Sequence, residues 1–258
     1  MFPTLPKPAA GSWERFDTNR AIPGSMLFWN AMDWQALTLT LRLASITTAI
    51  LLLIAIPLGA LLVLGRSRWL AVLQAITALP LVLPPTVLGF FLLVLLGPRT
   101  AFGRGITSLL GHPLAFSFSG LVVGSVIYSL PFAVQPIVAG FAAIDPALID
   151  ASRLLGAGHV RLVGTLLIPL ARRSVIAAAV LSFLHTVGEF GVVLMLGGDI
   201  PGATRTLSIL LYNQVENFDY AAAGRTATVL LTLSLAALVA IYAAGQSKAF
   251  QTSGGRRA

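Results

Sequence analysis

The two side chains best suited to proton chemistry lie four residues apart inside a long apolar stretch. His185 and Glu189 both fall between Ser174 and Leu196. If that stretch forms one continuous helix, the two side chains share a face. Ionisable pairs within a membrane helix are typical of proton relays and ion pathways. The spacing therefore allows a relay, and it equally allows a structural role in which Glu189 braces the helix.

Metal, nucleotide and hydrolase chemistry find little support in the sequence. There is no cysteine, and His112 and His159 stand alone in loop contexts, so no metal site is predicted. A phosphate-binding loop needs Gly-x-x-x-x-Gly-Lys-Ser/Thr, but neither Lys7 nor Lys248 follows a glycine. We therefore predict a chain that is not an enzyme by itself and that binds no cofactor.

A short capped helix is predicted from Asp145 to Gly156. Asp145 can accept hydrogen bonds from the first-turn amides, Pro146 suits the first helical position, and Gly156 can end the helix in a left-handed conformation. One face of this helix is apolar: Leu148, Ala151, Leu154 and Leu155. An amphipathic helix of this kind either lies on lipid or enters a groove on a cytoplasmic partner.

The elements that must position these residues are membrane spans. Hydrophobic residues make up 57% of the chain and charged residues 10%, and the mean hydropathy is +0.89. These values predict an all-α integral membrane protein with about five transmembrane helices, because a bilayer core needs about 20 apolar residues per helix. The predicted spans are Trp34 to Leu64, Ala71 to Leu96, Gly120 to Ile144, Ser174 to Leu196 and Thr226 to Ala244.

Prolines interrupt the first three predicted spans. The affected positions are Pro57, Pro80, Pro84, Pro85, Pro131 and Pro136. A proline removes a backbone hydrogen bond, which lipid tolerates only where neighbouring helices or a water-lined cavity satisfy the freed carbonyl. Broken helices are consistent with a transport path, although proline is also common in ordinary membrane helices. Arg42, within the first span, either extends outward to the interface or faces a path.

The basic residues indicate an orientation. The formal net charge is +8, with the cations spread over the ends of apolar segments, which favours anionic lipid over nucleic acid as the partner. Slightly more of them fall in the loops that are cytoplasmic if the C-terminus is inside, so the N-terminus is predicted to lie outside. The predicted domains are an N-terminal leader, 1–33, a transmembrane domain, 34–245, and a cytoplasmic tail, 246–258. Whether the leader adds a sixth membrane-associated helix stays open.

The capped helix and the residues after it resemble a family signature. Permeases of ATP-binding-cassette (ABC) importers carry Glu-Ala-Ala, three residues, Gly, nine residues, Ile, one residue and Leu-Pro. This sequence keeps every interval, with Asp150 and Ser152 as departures from the pattern. The resemblance implies a coupling helix that docks into an ATP-binding subunit. The implied coupling-loop residues are Asp145, Pro146, Asp150, Ala151, Ser152, Arg153, Gly156, Leu166, Ile168 and Pro169.

Three further stretches resemble the molybdate branch of these permeases: Pro80 to Gly89, Gly188 to Gly191 and Ile200 to Thr206. The similarity runs from about Trp34 to Ala244. Sulfate permeases share the Gly-Glu-aromatic-Gly element, so the Ile-Pro-Gly-x-Thr-Arg-Thr stretch is what favours molybdate or tungstate. The implied pathway or gate residues are Pro84, Pro85, Gly188, Glu189, Phe190 and Gly191. The implied outer-loop residues are Pro201, Gly202, Thr204, Arg205 and Thr206.

The resemblance also implies an assembly. A homodimer in the bacterial inner membrane would engage cytoplasmic ATP-binding subunits, which hold ATP and Mg, and an extracytoplasmic oxyanion-binding protein. Transport would proceed by alternating access. Two alternatives stay open: a sulfate or thiosulfate permease, and a proton-coupled secondary transporter using His185 and Glu189. The sequence shows no internal repeat of the kind common in secondary transporters, which disfavours the second alternative.

Overall fold

The computed structural model describes residues 33–246, which are helical throughout apart from short connections. In chain order the α-helices are α1 (Trp34–Leu64), α2 (Trp69–Ala78), α3 (Pro85–Leu96), α4 (Ala101–Leu110), α5 (Phe118–Ala142), α6 (Pro146–Leu154), α7 (His159–Leu162), α8 (Ile168–Leu170), α9 (Arg172–Gly188), α10 (Gly191–Gly197), α11 (Leu207–Glu216) and α12 (Tyr220–Gln246). A 3-10 turn, Leu79–Leu81, follows α2, and a π-helical turn, Val163–Leu167, joins α7 to α8. The predicted all-α fold is confirmed for this part of the chain.

Three helices are long and apolar enough to cross a bilayer: α1, α5 and the Tyr220–Val239 part of α12. Two pairs of segments also qualify but are bent. Trp69–Leu81 meets Pro85–Leu96 at 108°, and His159–Leu170 meets Arg172–Gly188 at 83°. Residues 33–246 therefore provide three spans, or up to five if each bent pair counts as one. The predicted number of about five corresponds to the upper value.

Helices α1, α5 and α9 pack against one another and form the centre of the bundle. Their contact is filled by buried apolar side chains: Leu51, Ala55, Ala133, Val134, Ile137, Phe141 and Ala178. A Cβ at Gly59 would lie 2.7 Å from Ile137 Cγ2, so α1 and α5 approach closely only because this position lacks a side chain. Close approach at small residues is how membrane helices gain packing energy.

The second predicted span is two helices rather than one. Pro84 has an extended conformation, with φ −56° and ψ 135°, and Pro85 occupies the first position of α3. Because Pro85 disfavours a helical conformation at the residue before it and cannot donate a backbone hydrogen bond, the α2 segment ends here. The consecutive prolines thus turn the chain rather than kink a single helix.

The fourth predicted span is also divided, at Glu189. Helix α9 ends at Gly188, Glu189 is extended with ψ 132°, and α10 begins at Gly191. The prediction that His185 and Glu189 share a helix face is therefore wrong, since only His185 lies within a helix. The glycines on both sides of Glu189 have the low helix propensity that accounts for the break.

Two helices were not predicted from the sequence: α4 and α11. Both begin at a threonine cap. Thr100 Oγ1 accepts a hydrogen bond from Gly103 N at 2.9 Å, and Thr206 Oγ1 accepts one from Ile209 N at 3.4 Å. These two threonines, at capping positions, were the features of the sequence from which α4 and α11 could have been predicted. The predicted leader, apart from Asp33, and the predicted tail, apart from Gln246, lie outside the described residues.

Candidate functional site

Two loops that resemble family motifs lie at opposite ends of α1. His159 and Val160 line a cavity of about 620 Å³ together with Leu64 and Gly65, at the C-terminal end of α1. Gly202 instead lies beside Gln35, in the first turn of α1. A helix of 31 residues is about 45 Å long. The loop that contains α6 and the 200–206 loop therefore occupy opposite ends of the bundle.

The ends of α6 form as the sequence predicts. Asp145 Oδ1 accepts a hydrogen bond from Ala147 N at 2.9 Å, and Pro146 is the first helical residue. Gly156 has φ +80°, which is the left-handed conformation that glycine adopts without strain. Its N–H donates to Arg153 O at 2.9 Å. The capped helix of the coupling loop is confirmed as a structural element.

The apolar face of α6 points away from the bundle. Leu154 is 89% exposed and Leu155 is 87% exposed, while Leu148 and Ala151 are also exposed. Ile149 is the buried residue of α6 and holds the helix against the bundle. The exposed Asp150–Arg153 ion pair, at 3.8 Å, contributes little to stability. The exposed leucines form an apolar surface that suits either lipid or a partner protein.

The second half of the coupling loop is mostly internal packing. Leu166 and Ile168 are half-buried against the hydrophobic core, close to the fully buried Leu162 and Leu167. Ser152 is half-buried, and Pro169 is exposed in the short helix α8. The π-helical turn Val163–Leu167 interrupts the regular helix at this point, and such turns are frequent at functional sites. The coupling loop thus consists of an exposed helix, α6, and a following segment that packs into the hydrophobic core.

Glu189 caps helix α10. Its Oε1 accepts hydrogen bonds from Val192 N at 2.7 Å and Val193 N at 3.2 Å. The residue is only 5% exposed, and Oε2 has no hydrogen-bond partner among residues 33–246. These two N–H groups lie in the first turn of the helix, where no backbone acceptor is available to them. The Phe190 ring packs against Tyr212 of α11, with 5.0 Å between ring centroids.

Helices α3 and α10 interlock through glycines. A Cβ at Gly89 would lie 2.8 Å from Met195 Cβ and 3.0 Å from Val192 Cα, and a Cβ at Gly191 would lie 2.6 Å from Pro85 Cβ. The structure thus brings together Pro85 and the 188–191 element, which were predicted separately as gate residues. Pro84 is exposed at the turn that precedes α3. We name this unit, Pro84–Leu96 with Gly188–Gly197, the α3–α10 unit.

Gly89→Val is expected to lower the free energy of unfolding by about 1–3 kcal/mol, because the added side chain overlaps Val192 Cα and the Met195 side chain of α10. Denaturant unfolding of the purified protein in detergent measures the change. Gly188→Ala is the matched control, since a Cβ there meets no atom within 4 Å. Its effect should stay within about 1 kcal/mol of the wild type. Equal stability of Gly89→Val and the wild type would contradict the interlock.

His185 is fixed to α5 rather than to Glu189. Its Nδ1 lies 2.9 Å from Ser129 Oγ, and its ring stacks on Phe132 with 3.8 Å between centroids. The Tyr128 ring lies 5.0 Å away on the same helix. Within residues 33–246, no hydrogen bond joins His185 to Glu189. The two side chains therefore do not form a direct proton relay in this conformation.

The 200–206 loop, predicted as an outer loop, is held by buried hydroxyl groups. Thr204 Oγ1 donates to Gly197 O at 2.8 Å and accepts from Ile200 N at 3.1 Å. Gly202 has φ +75°, so a turn forms there, next to the exposed Pro201. Thr206 caps α11, and Thr40 Oγ1 of α1 accepts from Leu207 N at 2.9 Å. The loop is thus a fixed structure attached to α1.

Arg205 forms a bidentate ion pair with Asp199. Its Nη2 donates to Asp199 Oδ2 at 3.0 Å, and its Nε donates to Oδ1. Asn213 Nδ2 also donates to Oδ2, at 2.6 Å. The hydrogen bond from Arg205 is the largest cause that lowers the pKa of Asp199, so the pair is present at neutral pH and is lost as the pH falls. The sequence analysis predicted Arg205 as a site residue but not Asp199 or Asn213. Asp199 could have been found as an opposite charge six residues from Arg205, across the Pro-Gly turn.

Comparisons with solved structures identify the fold. The chain is similar to a chain of the MetNI methionine ABC transporter in an inward-facing conformation, with a TM-score of 0.65 and 18% identity. The match covers 85% of this chain and 96% of that chain. It is also similar to a chain of a bacterial ABC transporter that imports alginate, with a TM-score of 0.61, 17% identity and coverage of 88% and 84%.

Comparisons with characterised sequences give closer relatives. The molybdenum transport system permease protein ModB of Azotobacter vinelandii is 47% identical over 84% of this chain and 96% of its own length. The protein of the same name in Escherichia coli K12 is 35% identical over 71% of this chain and 80% of its own length. Residues 55–248 match the family described as binding-protein-dependent transport system inner membrane component. The bent helices, the capped loop helix and these matches agree, and the chain belongs to this family of transport permeases.

Proposed function

We propose that this chain is the transmembrane permease subunit of an ABC importer that translocates molybdate or tungstate. The observation that carries the proposal is the 47% identity to a molybdenum permease over 96% of that protein's length. The 200–206 loop, which resembles the molybdate branch, is part of a fixed structure at one end of α1. The permease provides the path, and the energy comes from a separate subunit.

The surface of α6 supports a cytoplasmic ATP-binding partner that carries ATP and Mg. Exposed leucines at 154 and 155 cost free energy in water and gain it when a partner covers them. With α6 on the cytoplasmic side, the 200–206 loop and the N-terminus lie outside and the C-terminus lies inside. The outer loop then faces an oxyanion-binding protein, and the membrane is the bacterial inner membrane.

A second copy of the chain completes the path in this proposal. With at most five candidate spans in residues 33–246, one protomer supplies few helices to enclose an anion. In the mechanism, closure of the ATP-binding subunits moves the two α6 helices, one in each protomer. The α3–α10 units then act as the gate and open toward the outside. ATP hydrolysis returns them. The residues of the coupling loop and of the α3–α10 unit have positioning roles here, and they take part in no chemical step.

The proposed substrate predicts a clear selectivity. In proteoliposomes containing the permease and its ATP-binding subunit, binding protein loaded with molybdate should stimulate ATP hydrolysis and uptake at least about tenfold over unloaded binding protein. Tungstate should act similarly, whereas sulfate loading should have little effect. Permease without the ATP-binding subunit should transport nothing, with or without a pH gradient, because no phosphate-binding loop is present in the sequence.

Each alternative has its own outcome in this assay. Equal or stronger stimulation by sulfate or thiosulfate would assign the chain to the sulfate permeases. Uptake by the permease alone, driven by a pH gradient, would identify a secondary transporter. The described geometry gives the latter no support, because Glu189 is engaged as a helix cap and His185 binds Ser129.

A further inference from the structure

The exposed face of α1 changes character halfway along the helix. In its first half, apart from Trp34, the exposed positions are polar or charged: Gln35, Thr38, Arg42 and Ser45. In its second half, the exposed positions include Leu53 and Leu61. Leucine suits lipid, whereas a charged side chain within a span faces a water-filled cavity or a protein surface, or extends to the aqueous interface. The outer half of this face is therefore built for an aqueous or protein environment.

Arg42 lines a cavity at this position. The cavity has a volume of about 660 Å³ and lies between the first half of α1, the residues that precede α5, and the outer loop. Its polar lining residues are Gln35, Thr38, Arg42 and Ser117, and the ring of Phe118 also lines it. Arg42 is the one charged side chain of this lining. The cavity therefore carries a positive charge with no acidic group in its own walls.

The Arg42 guanidinium is held in place without being neutralised. Its Cζ lies 4.8 Å from the centroid of the Phe118 ring, so an aromatic face supports it. No carboxylate of residues 33–246 forms an ion pair with it; Arg205, in the nearby outer loop, is by contrast paired with Asp199. The five N–H groups of a guanidinium match the oxygens of an oxyanion.

The remaining polar groups of the cavity are of two kinds. Two hydroxyls already donate internally: Thr38 Oγ1 to Trp34 O at 2.8 Å, and Ser117 Oγ to Leu114 O at 2.7 Å. The Gln35 carboxamide makes no hydrogen bond within the described residues, and a Cβ at Gly202 would lie 3.6 Å from its Oε1. Gln35 is seven residues before Arg42, so both side chains project from the same face of α1.

We propose that this cavity is a transient binding site for the tetrahedral oxyanion as it passes from the binding protein into the permease, with Arg42 as its charge partner and Gln35 as an additional donor. The inference rests on the proposed function and adds a site to it. A divalent anion that enters a path through the membrane without its full hydration shell carries a large free-energy cost, and a fixed cation offsets part of that cost. Because the site is open and has a single cation, it holds the anion briefly and releases it.

The test compares Arg42→Gln and Arg42→Lys in the complete complex in proteoliposomes, with binding protein loaded with molybdate. Arg42→Gln should lower the number of molybdate ions imported per ATP hydrolysed by about ten- to a hundredfold, because a hydrogen bond to a charged group is lost. Arg42→Lys, which keeps the charge, should restore a large part of that coupling. The stimulation of ATP hydrolysis by loaded binding protein should stay within about twofold in both variants.

Arg104→Gln is the matched control. Arg104 is an exposed arginine of α4 that donates to Arg99 O and lies outside the cavity lining. It should leave import per ATP unchanged. If the wild-type complex imports no molybdate, the proposed function fails and this site with it. If the wild type imports molybdate and Arg42→Gln imports equally well, the site alone is refuted. Dissociation of the dimer by Arg42→Gln, measured by light scattering in detergent, would assign Arg42 to a contact between copies and would also refute the site.

Discussion

Leu154→Glu is expected to reduce ATP-driven uptake by more than about a hundredfold while the protein still accumulates in the membrane. Leu154 is 89% exposed, so the isolated permease loses almost no packing when it is replaced. In the proposed complex, the same position is covered by the ATP-binding subunit. An unpaired charge buried there costs several kcal/mol, and each 1.4 kcal/mol is a factor of ten in affinity.

Co-purification of the ATP-binding subunit with the permease measures this loss directly. Ala151→Glu, on the same exposed face, should behave in the same way. Leu154→Met is the matched control, because it keeps the apolar surface and nearly the same volume, and it should retain both binding and uptake. A Leu154→Glu permease that binds its ATP-binding subunit normally would remove the docking role of α6.

Glu189→Ala has the second largest expected effect, and this effect is on the fold. The substitution leaves the N–H groups of Val192 and Val193 without the acceptor that they now share. Loss of a helix cap costs about 1–2 kcal/mol, and leaving buried donors unsatisfied costs about 1–3 kcal/mol. We expect a lower midpoint of thermal unfolding and strongly reduced uptake, both measured on the purified complex.

Glu189→Gln separates the cap from the charge. The amide oxygen of glutamine can accept the same two hydrogen bonds, so most of the stability and much of the ATP-driven uptake should remain. The pH dependence of uptake should change little. If uptake in Glu189→Gln fell as far as in Glu189→Ala with stability unchanged, the carboxylate itself would have a transport role.

The sequence predicts those parts of the structure that depend on local chemistry. The first and last spans follow from the length of their apolar stretches, and α6 follows from Asp145, Pro146 and Gly156 at the positions that cap a short helix. The division at Glu189 could not be predicted from apolar periodicity, because the stretches on both sides are apolar. Gly188 and Gly191 weaken the helix there, and the close contact of Gly191 with Pro85 holds the turn.

Long-range polar contacts were also beyond prediction. Ser129 and His185 are 56 residues apart, and Thr40 and Leu207 are 167 residues apart, yet each pair forms a hydrogen bond across helices. A serine or threonine in a membrane helix commonly bonds its own backbone, so its residue type does not reveal a distant partner. The exposure of Leu154 and Leu155, likewise, follows from the way Ile149 docks and not from the helix pattern alone.

The contact between α3 and α10 has a mechanical consequence. Gly89 and Gly191 let α3 and α10 approach so closely that the two helices cannot slide past each other without a steric collision. The α3–α10 unit therefore has few internal degrees of freedom. Gly124 and Gly197 bring α10 similarly close to α5, so a displacement of α10 is expected to carry α3 and α5 with it as one rigid body. In a symmetric pair of such rigid units, opening would be one rotation of each unit. The path would then respond to its driving force as a whole and not by local bending of single helices.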